Sequence, residues 1–182
     1  MRKKYVRKTC LGLIRVRKRP GLPTQGVLVA GPLHLRVALG RGSIRANKRE
    51  GDGGTPRGIF RPVRLWWRPD RGPRPRTVLP VRRIRPDDGW CEDPADRRYN
   101  HAIRVPKGDP GDRLWRADHL YDLIVEIDHN TRPRIAGRGS AVFLHLARPR
   151  FAPTAGCIAL TPGGLRRLLS QLYPQTRIEI GG

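Results

Sequence analysis

Acid is scarce in this sequence, and so are lysine, cysteine and uninterrupted apolar runs. Asp and Glu number 15 in 182 residues against 38 Lys and Arg, a formal net charge of +23. Lysine is confined to Lys3, Lys4, Lys8, Lys18, Lys48 and Lys107, while arginine runs through the whole chain instead of gathering in one tail. A dedicated nucleic-acid arm is usually a block of like charge. The excess is therefore read as a field that attracts any polyanion without selecting one, and nucleic acid is not the expected partner. No segment approaches the ~18 to 20 apolar residues of a membrane-spanning helix; the uncharged stretch Leu22 to Leu35 is broken by Pro23, Gly26, Gly31, Pro32 and His34. At the start of the chain the apolar run Thr9 to Ile14 is followed by Arg15, Arg17, Lys18 and Arg19. That is shorter than the roughly 7 to 15 residues of a secretory core, so no export signal is recognised. Cys10, Cys91 and Cys157 form no CxxC or CxxH spacing, so neither a zinc site nor a disulfide framework is expected.

What is present points to one loop-rich globular domain. Hydrophobic residues make up 37% and charged ones 29%, near the globular average, while 21 Gly and 18 Pro call for many turns and exclude a helical bundle. A chain of this length buries a sizeable core. Period-two alternation predicts strands at Leu11 to Val16, a hairpin of Gly26 to Ala30 with Leu33 to Leu39, and a strand over Ile59 to Trp67. Pro69 to Asp96 reads as an irregular functional loop layer. Leu120 to Ile127 and Arg134 to Ala136 flank Asp128-His129-Asn130-Thr131, a hairpin signal. Ser140 to Leu146, the most apolar strand, is expected to be central. Thr161 to Leu172 predicts the one helix: Thr161 as N-cap, Pro162 in the first turn, and Leu165, Leu168, Leu169 and Leu172 on one face. Thr176 to Ile180 closes the chain as a strand. The expectation is a mostly β fold, with sandwich or barrel-like sheets and one amphipathic helix near the C-terminus. Residues 1–25 form a basic segment supplying the first strand, and residues 26–182 form the main domain.

Chemistry concentrates between Val142 and Leu160. His145 ends a buried strand, and Thr154-Ala155-Gly156-Cys157 opens the next apolar segment, so an imidazole and a thiol fall at neighbouring strand ends. A nucleophilic cysteine needs such a partner, because the thiolate reacts and a nearby His raises its population near neutral pH. Gly156 permits close approach of backbone to substrate and leaves adjacent amides free for a developing oxyanion. Spacing alone leaves a second reading open, in which Cys157 is a small buried apolar residue and His145 a satisfied core histidine.

The segment resembles the signature of the L,D-transpeptidase catalytic domain (YkuD type), in which a strand-borne His precedes Ser/Thr-His-Gly-Cys. Asp52-Gly53-Gly54-Thr55-Pro56-Arg57-Gly58-Ile59-Phe60 resembles that family's Thr-Pro-x-Gly-x-Phe element, and the two patches lie in the family's order, with the likeness running from Gly26 to Ile180. The resemblance implies Cys157 as acylated nucleophile, His145 as its base, the Gly156 and Cys157 amides as oxyanion site, and Thr154 at the Ser/Thr position. It implies a peptidoglycan L,D-transpeptidase: a stem-peptide carbonyl forms a thioester with Cys157, and a diaminopimelate amine resolves it. No metal or organic cofactor is implied, carbapenem-type inhibitors are expected to acylate the cysteine, and a monomer is expected. Ala155 stands where the family usually has a second His and Ala159 where an Arg commonly follows the Cys. These departures resemble a divergent proteobacterial branch, some members of which are associated with crosslinks from L-Ala to diaminopimelate. Water as acceptor would instead make a hydrolase of stem or lipoprotein linkages. The competing reading from another class is a non-catalytic basic module binding anionic polymer.

Around this pair, Arg148 is a candidate carboxylate fork, and Tyr121 and His119 are candidates for lining the cleft. Asp118-His119 and Asp128-His129 suggest metal ligands less well than a strand edge and a turn. Trp66, Trp67, Trp90 and Trp115, interleaved with Arg64, Arg68, Arg97 and Arg116, are read as packing beneath the loop layer in preference to stacking on bases or sugars. The substrate class implies the periplasm or cell envelope, in tension with the absent signal, and a cytoplasmic site stays open.

Overall fold

A computed structural model describes residues 11–106 and 112–181; Cys10 and the first ten residues of the expected N-terminal segment lie outside them. The chain is mostly β. The first three strands, β1 (Leu13–Arg19), β2 (Leu22–Ala30) and β3 (Leu33–Ala38), form a meander, followed by the short β4 (Ile44–Arg45), β5 (Thr55–Pro56) and β6 (Gly58–Phe60). Next come β7 (Pro62–Trp67), β8 (Val81–Arg83), β9 (Asp88–Trp90), β10 (Ala102–Arg104) and β11 (Leu123–Ile127). The chain ends with β12 (Phe143–Leu146), β13 (Ile158–Leu160), helix α1 (Pro162–Leu169) and β14 (Arg177–Ile180).

Ten of these strands make one sheet, in the order β6-β14-β1-β2-β3-β13-β12-β11-β7-β8. Its curvature follows from connectivity. β6 is at one edge and β7 is next to the other, yet only Arg61 separates them in sequence. Consecutive Cα atoms are about 3.8 Å apart, so the sheet has to curl until its edges meet. The expected single strand Ile59 to Trp67 is thus two strands of opposite location. The break is fixed by Asp128, whose carboxylate accepts from the Arg61 amide at 2.7 Å while its own amide donates to the Arg61 carbonyl at 3.0 Å.

Alternation assigns the two faces of the sheet. Along β12, Val142, Leu144 and Leu146 join the main core with Leu123, Val125 and Ile127 of β11 and Ile158 and Leu160 of β13. Helix α1 caps this core with Leu165, Leu168 and Leu169, and Thr161 caps the helix by accepting from the Gly164 amide. The intervening residues point the other way. Trp66, Ile124, Ala141, Phe143 and Cys157 form a second cluster with Trp90 and Leu114 beneath the loop layer. Trp90 stands edge-on to Phe143 at 5.0 Å, and the Arg68 guanidinium lies 3.4 Å from the Trp115 ring centre. These tryptophans are packing elements, with Trp66 1% and Trp90 6% exposed.

Two expectations need correction. The stretch Pro69 to Asp96 is not wholly irregular, since it holds β8 and β9. No strand forms over 134–136, so the predicted hairpin at Asp128 to Thr131 is absent. Asn130 closes that loop with its side chain, donating to the carbonyls of Ile135 (2.9 Å) and Gly139 (3.0 Å) and accepting from the Ile135 amide (2.9 Å). Those bonds take the place of a ladder, and β11 pairs instead with β12 through Val125↔Leu144 and Glu126↔Phe143.

Asn100, 4% exposed, clasps the loop layer to the start of β12. Its Oδ1 accepts from Trp90 Nε1 (3.0 Å) and the Ala141 amide (3.1 Å), and its Nδ2 donates to the carbonyls of His129 (3.1 Å) and Asn130 (3.0 Å). Asn100→Ala strands two buried donors, each costing roughly 1–3 kcal/mol. A loss on the order of 3 kcal/mol is expected in urea unfolding, and a loss within error would show that the clasp is not structural.

Candidate active site

Two parallel strands create the site. β12 pairs with β13 in the register Leu144↔Ile158, His145↔Ala159 and Leu146↔Leu160. Leu144 and Ile158 both face the core, so His145, Ala159 and the preceding Cys157 share the opposite face. A cavity of about 460 Å³ opens there, lined by His145, Cys157, Tyr121, Arg148 and Thr154 together with Arg41, Arg116, Glu92 and Asp112.

His145 is 5% exposed and its Nδ1 lies 2.8 Å from the Leu146 carbonyl. A carbonyl only accepts, so Nδ1 carries the proton and Nε2 presents its lone pair. Tyr121 walls the ring edge-on at 5.3 Å. The Cys157 thiol, 7% exposed, donates to the Ala141 carbonyl at 3.1 Å and accepts from the Phe143 amide at 3.3 Å.

Burial dominates the protonation of both groups. It pushes the Cys157 thiol up to about 12, against the lowering effect of the Phe143 amide and with a smaller push from Glu92. It holds His145 down to about 4, with Arg116 and Arg148 adding to the depression. The expectation that His145 raises the resting thiolate population is therefore corrected: at neutral pH both are uncharged. The imidazole can act only as a base that takes the proton as sulfur attacks, after the S–H turns away from Ala141.

The Thr154-Ala155-Gly156-Cys157 turn is braced from within and below. The Thr154 hydroxyl donates to the Cys157 carbonyl at 2.7 Å and accepts from the Gly156 amide at 3.1 Å. Two readings change as a result. The Gly156 amide is engaged, not free for an oxyanion, and the Thr154 hydroxyl is spent on the turn although its residue lines the cavity. Gly156 itself has φ 143°, and a Cβ there would sit 2.9 Å from the Gly54 carbonyl oxygen, so only glycine fits. The loop leading into the Thr-Pro-x-Gly-x-Phe element, through Gly54, is the floor on which the turn rests. Lys48, 7% exposed and paired with Asp52 at 2.7 Å, holds that floor closed, and Tyr99 and Ser140 tie it to β12 by donating to Glu50.

His119 is not brought to the cavity. Its side chain is 60% exposed, with Nδ1 2.8 Å from Asp122 and Nε2 beside Arg71. The second Asp-His pair is a loop element too, with His129 Nε2 3.2 Å from the Arg138 carbonyl. Arg148 is exposed at the rim, and its guanidinium forms no ion pair among the described residues. Sequence reasoning did not bring Arg41, Arg116, Glu92 and Asp112 to the cavity; they arrive from three separate connections, after β3, β9 and β10, with no spacing to signal them. Burial and the neighbouring Asp112 push Glu92 up to about 8.

A curled mixed sheet thus sets a buried thiol at the entry of one strand and an imidazole on its parallel neighbour, both facing one cavity. The chain belongs to the family of the L,D-transpeptidase catalytic domain (YkuD), which matches residues 24–180. Comparisons with curated proteins and with solved structures found no match.

A neutral resting pair has a kinetic signature. Site-resolved iodoacetamide alkylation of Cys157 is expected to keep accelerating with pH beyond 9, following a thiol that titrates far above its usual range. A plateau reached by about pH 7 would reveal a preformed thiolate and contradict this electrostatic account.

Proposed function

We propose that this chain is a peptidoglycan L,D-transpeptidase working by acyl transfer through Cys157. The observation that carries the reading is the β12–β13 register, which gives one cavity both the thiol and an imidazole nitrogen with a free lone pair. As Cys157 Sγ attacks a stem-peptide carbonyl carbon, its proton passes to His145 Nε2. The tetrahedral intermediate expels the leaving amine, which departs with that proton, and a thioester remains. An acceptor amine then attacks the thioester carbon, its proton returns through His145 to sulfur, and the C–S bond breaks. Since Thr154 occupies the Gly156 amide, the Cys157 N–H is the backbone donor assigned to the oxyanion.

Ala155 and Ala159 leave the pocket without the polar side chains the family usually carries there. Arg148 and Arg41 line the same cavity, and we assign them the stem carboxylate, for which a guanidinium fork is suited; the Arg116 fork is already held by Asp118. A pocket rebuilt in this way fits the variation in which L-Ala is joined to diaminopimelate. On this proposal the substrate class implies the periplasm or cell envelope, and carbapenems are expected to trap the thiol.

Incubation with a carbapenem should yield one covalent mass adduct on the wild-type chain and none on Cys157→Ala. An adduct that persists in the variant would refute the nucleophile. His145→Gln removes the base and should slow acylation by about 10²- to 10⁴-fold; acylation at the wild-type rate would exclude that role.

A further inference from the structure

Three buried side-chain polar atoms lack a hydrogen bond among the described residues, and two of them, Arg64 Nε and Arg134 Nε, belong to residues that line one cavity. A buried N–H left without an acceptor costs stability, so two around the same space mark where an acceptor is brought from outside. This cavity, of about 510 Å³, is not the one that holds Cys157. It opens on the same face of the sheet, over β7, β11 and β12, and Trp66, Trp90 and Phe143 form its apolar wall.

Its charges are unevenly matched. Arg64 Nε stands 3.1 Å from Glu126 Oε2, an oxygen that already accepts from the Trp66 indole N–H at 2.8 Å. Arg132 and Arg134 also line the cavity, and their guanidinium groups make no ion pair or hydrogen bond among the described residues. Asp128, the second acid there, gives Oδ1 to the Arg61 amide and pairs with neither arginine. Two arginines at the cavity are thus unclaimed, while Glu126 Oε1 and Asp128 Oδ2 keep their lone pairs for a hydroxyl donor.

We propose that this cavity is a second binding site, for a sugar phosphate, separate from the Cys157 cavity and independent of the acyl-transfer reading. One guanidinium fork saturates a carboxylate. A phosphomonoester brings a charge of about −2 and three strong acceptor oxygens, enough for Arg132 and Arg134 together and for the stranded Arg134 Nε–H. The volume is of the size that encloses a small organic ligand, so there is room beyond the phosphate. There Glu126 Oε1 and Asp128 Oδ2 accept from sugar hydroxyls, and the apolar wall receives the C–H face of the ring. The same two carboxylates repel a continuous phosphate backbone, so a discrete ligand fits where a nucleic acid does not.

Calorimetric titration of the full chain tests the site at about 0.15 M salt, where the Debye length is about 8 Å and the long-range field is screened. Glucose 1-phosphate is compared with glucose and with inorganic phosphate, and is expected to bind about tenfold or more tightly than either, one molecule per chain. Arg132→Gln with Arg134→Gln removes side chains that hold no polar partner, and should weaken binding by about tenfold or more at an unchanged melting temperature. Arg134→Gln alone carries the same test if the pair melts early. Arg41→Gln with Arg148→Gln removes the same charge from the Cys157 cavity and should leave the affinity within about twofold, as should Cys157→Ala. Absence of glucose 1-phosphate binding would overturn the site, and equal binding of inorganic phosphate would overturn the sugar. Equal losses in the two arginine pairs would reduce the effect to attraction by net charge, and a loss confined to the Arg41 and Arg148 pair would put the ligand beside Cys157; either result contradicts the proposal.

Discussion

The parallel pairing of β12 with β13 is the constraint on which the site depends. Parallel neighbours need a crossover, usually of a dozen residues or more, and here the chain returns over residues 147–157 without a helix of standard length. That short return brings the two strands into register so that one face of the pair is core and the other is cavity. Curling of the sheet, forced by the one-residue link at Arg61, supplies the enclosed core against which the inner face packs. Remove either feature and the imidazole and thiol no longer share a wall.

Burial does two opposing things at this site. It gives the alternating strand a reason to hold its register, and it neutralises the groups that the register brings together. A thiol held near 12 and an imidazole near 4 are both uncharged at neutral pH. On the proposed acyl-transfer reading, reactivity is supplied with the substrate, when the thiol proton moves from the Ala141 carbonyl toward His145 and charge develops on a carbonyl oxygen instead of resting on sulfur. The surplus of arginine acquires a local meaning here, since Arg41, Arg116 and Arg148 surround a pocket whose turn lacks the family's usual polar residues.

Much of this was legible in the sequence wherever the signal was local. The apolar run Ser140 to Leu146 located a central strand with His145 at its end, and Thr161-Pro162 with four spaced leucines located the helix. The Thr-Pro-x-Gly-x-Phe and Thr-Ala-Gly-Cys patches gave the family. What stayed hidden is long-range. No spacing tells that Asp128 breaks the strand at Arg61, or that Asn130 replaces a hairpin ladder with side-chain bonds. His119, a candidate for the cleft because it precedes a strand with Tyr121, turns outward to Asp122 at φ 64°. Glu92 and Asp112 reach one cavity from separate segments, after β9 and after β10, a convergence that composition cannot announce.

The central claim is that Cys157 transfers acyl groups between peptidoglycan stems. It is tested most directly by incubating the purified chain with stem-peptide-bearing sacculi fragments and resolving the muropeptides by mass. Crosslinked dimers that appear with the wild-type chain and are absent with Cys157→Ala are the predicted result. An unchanged muropeptide profile, or dimers formed equally by both chains, would contradict it.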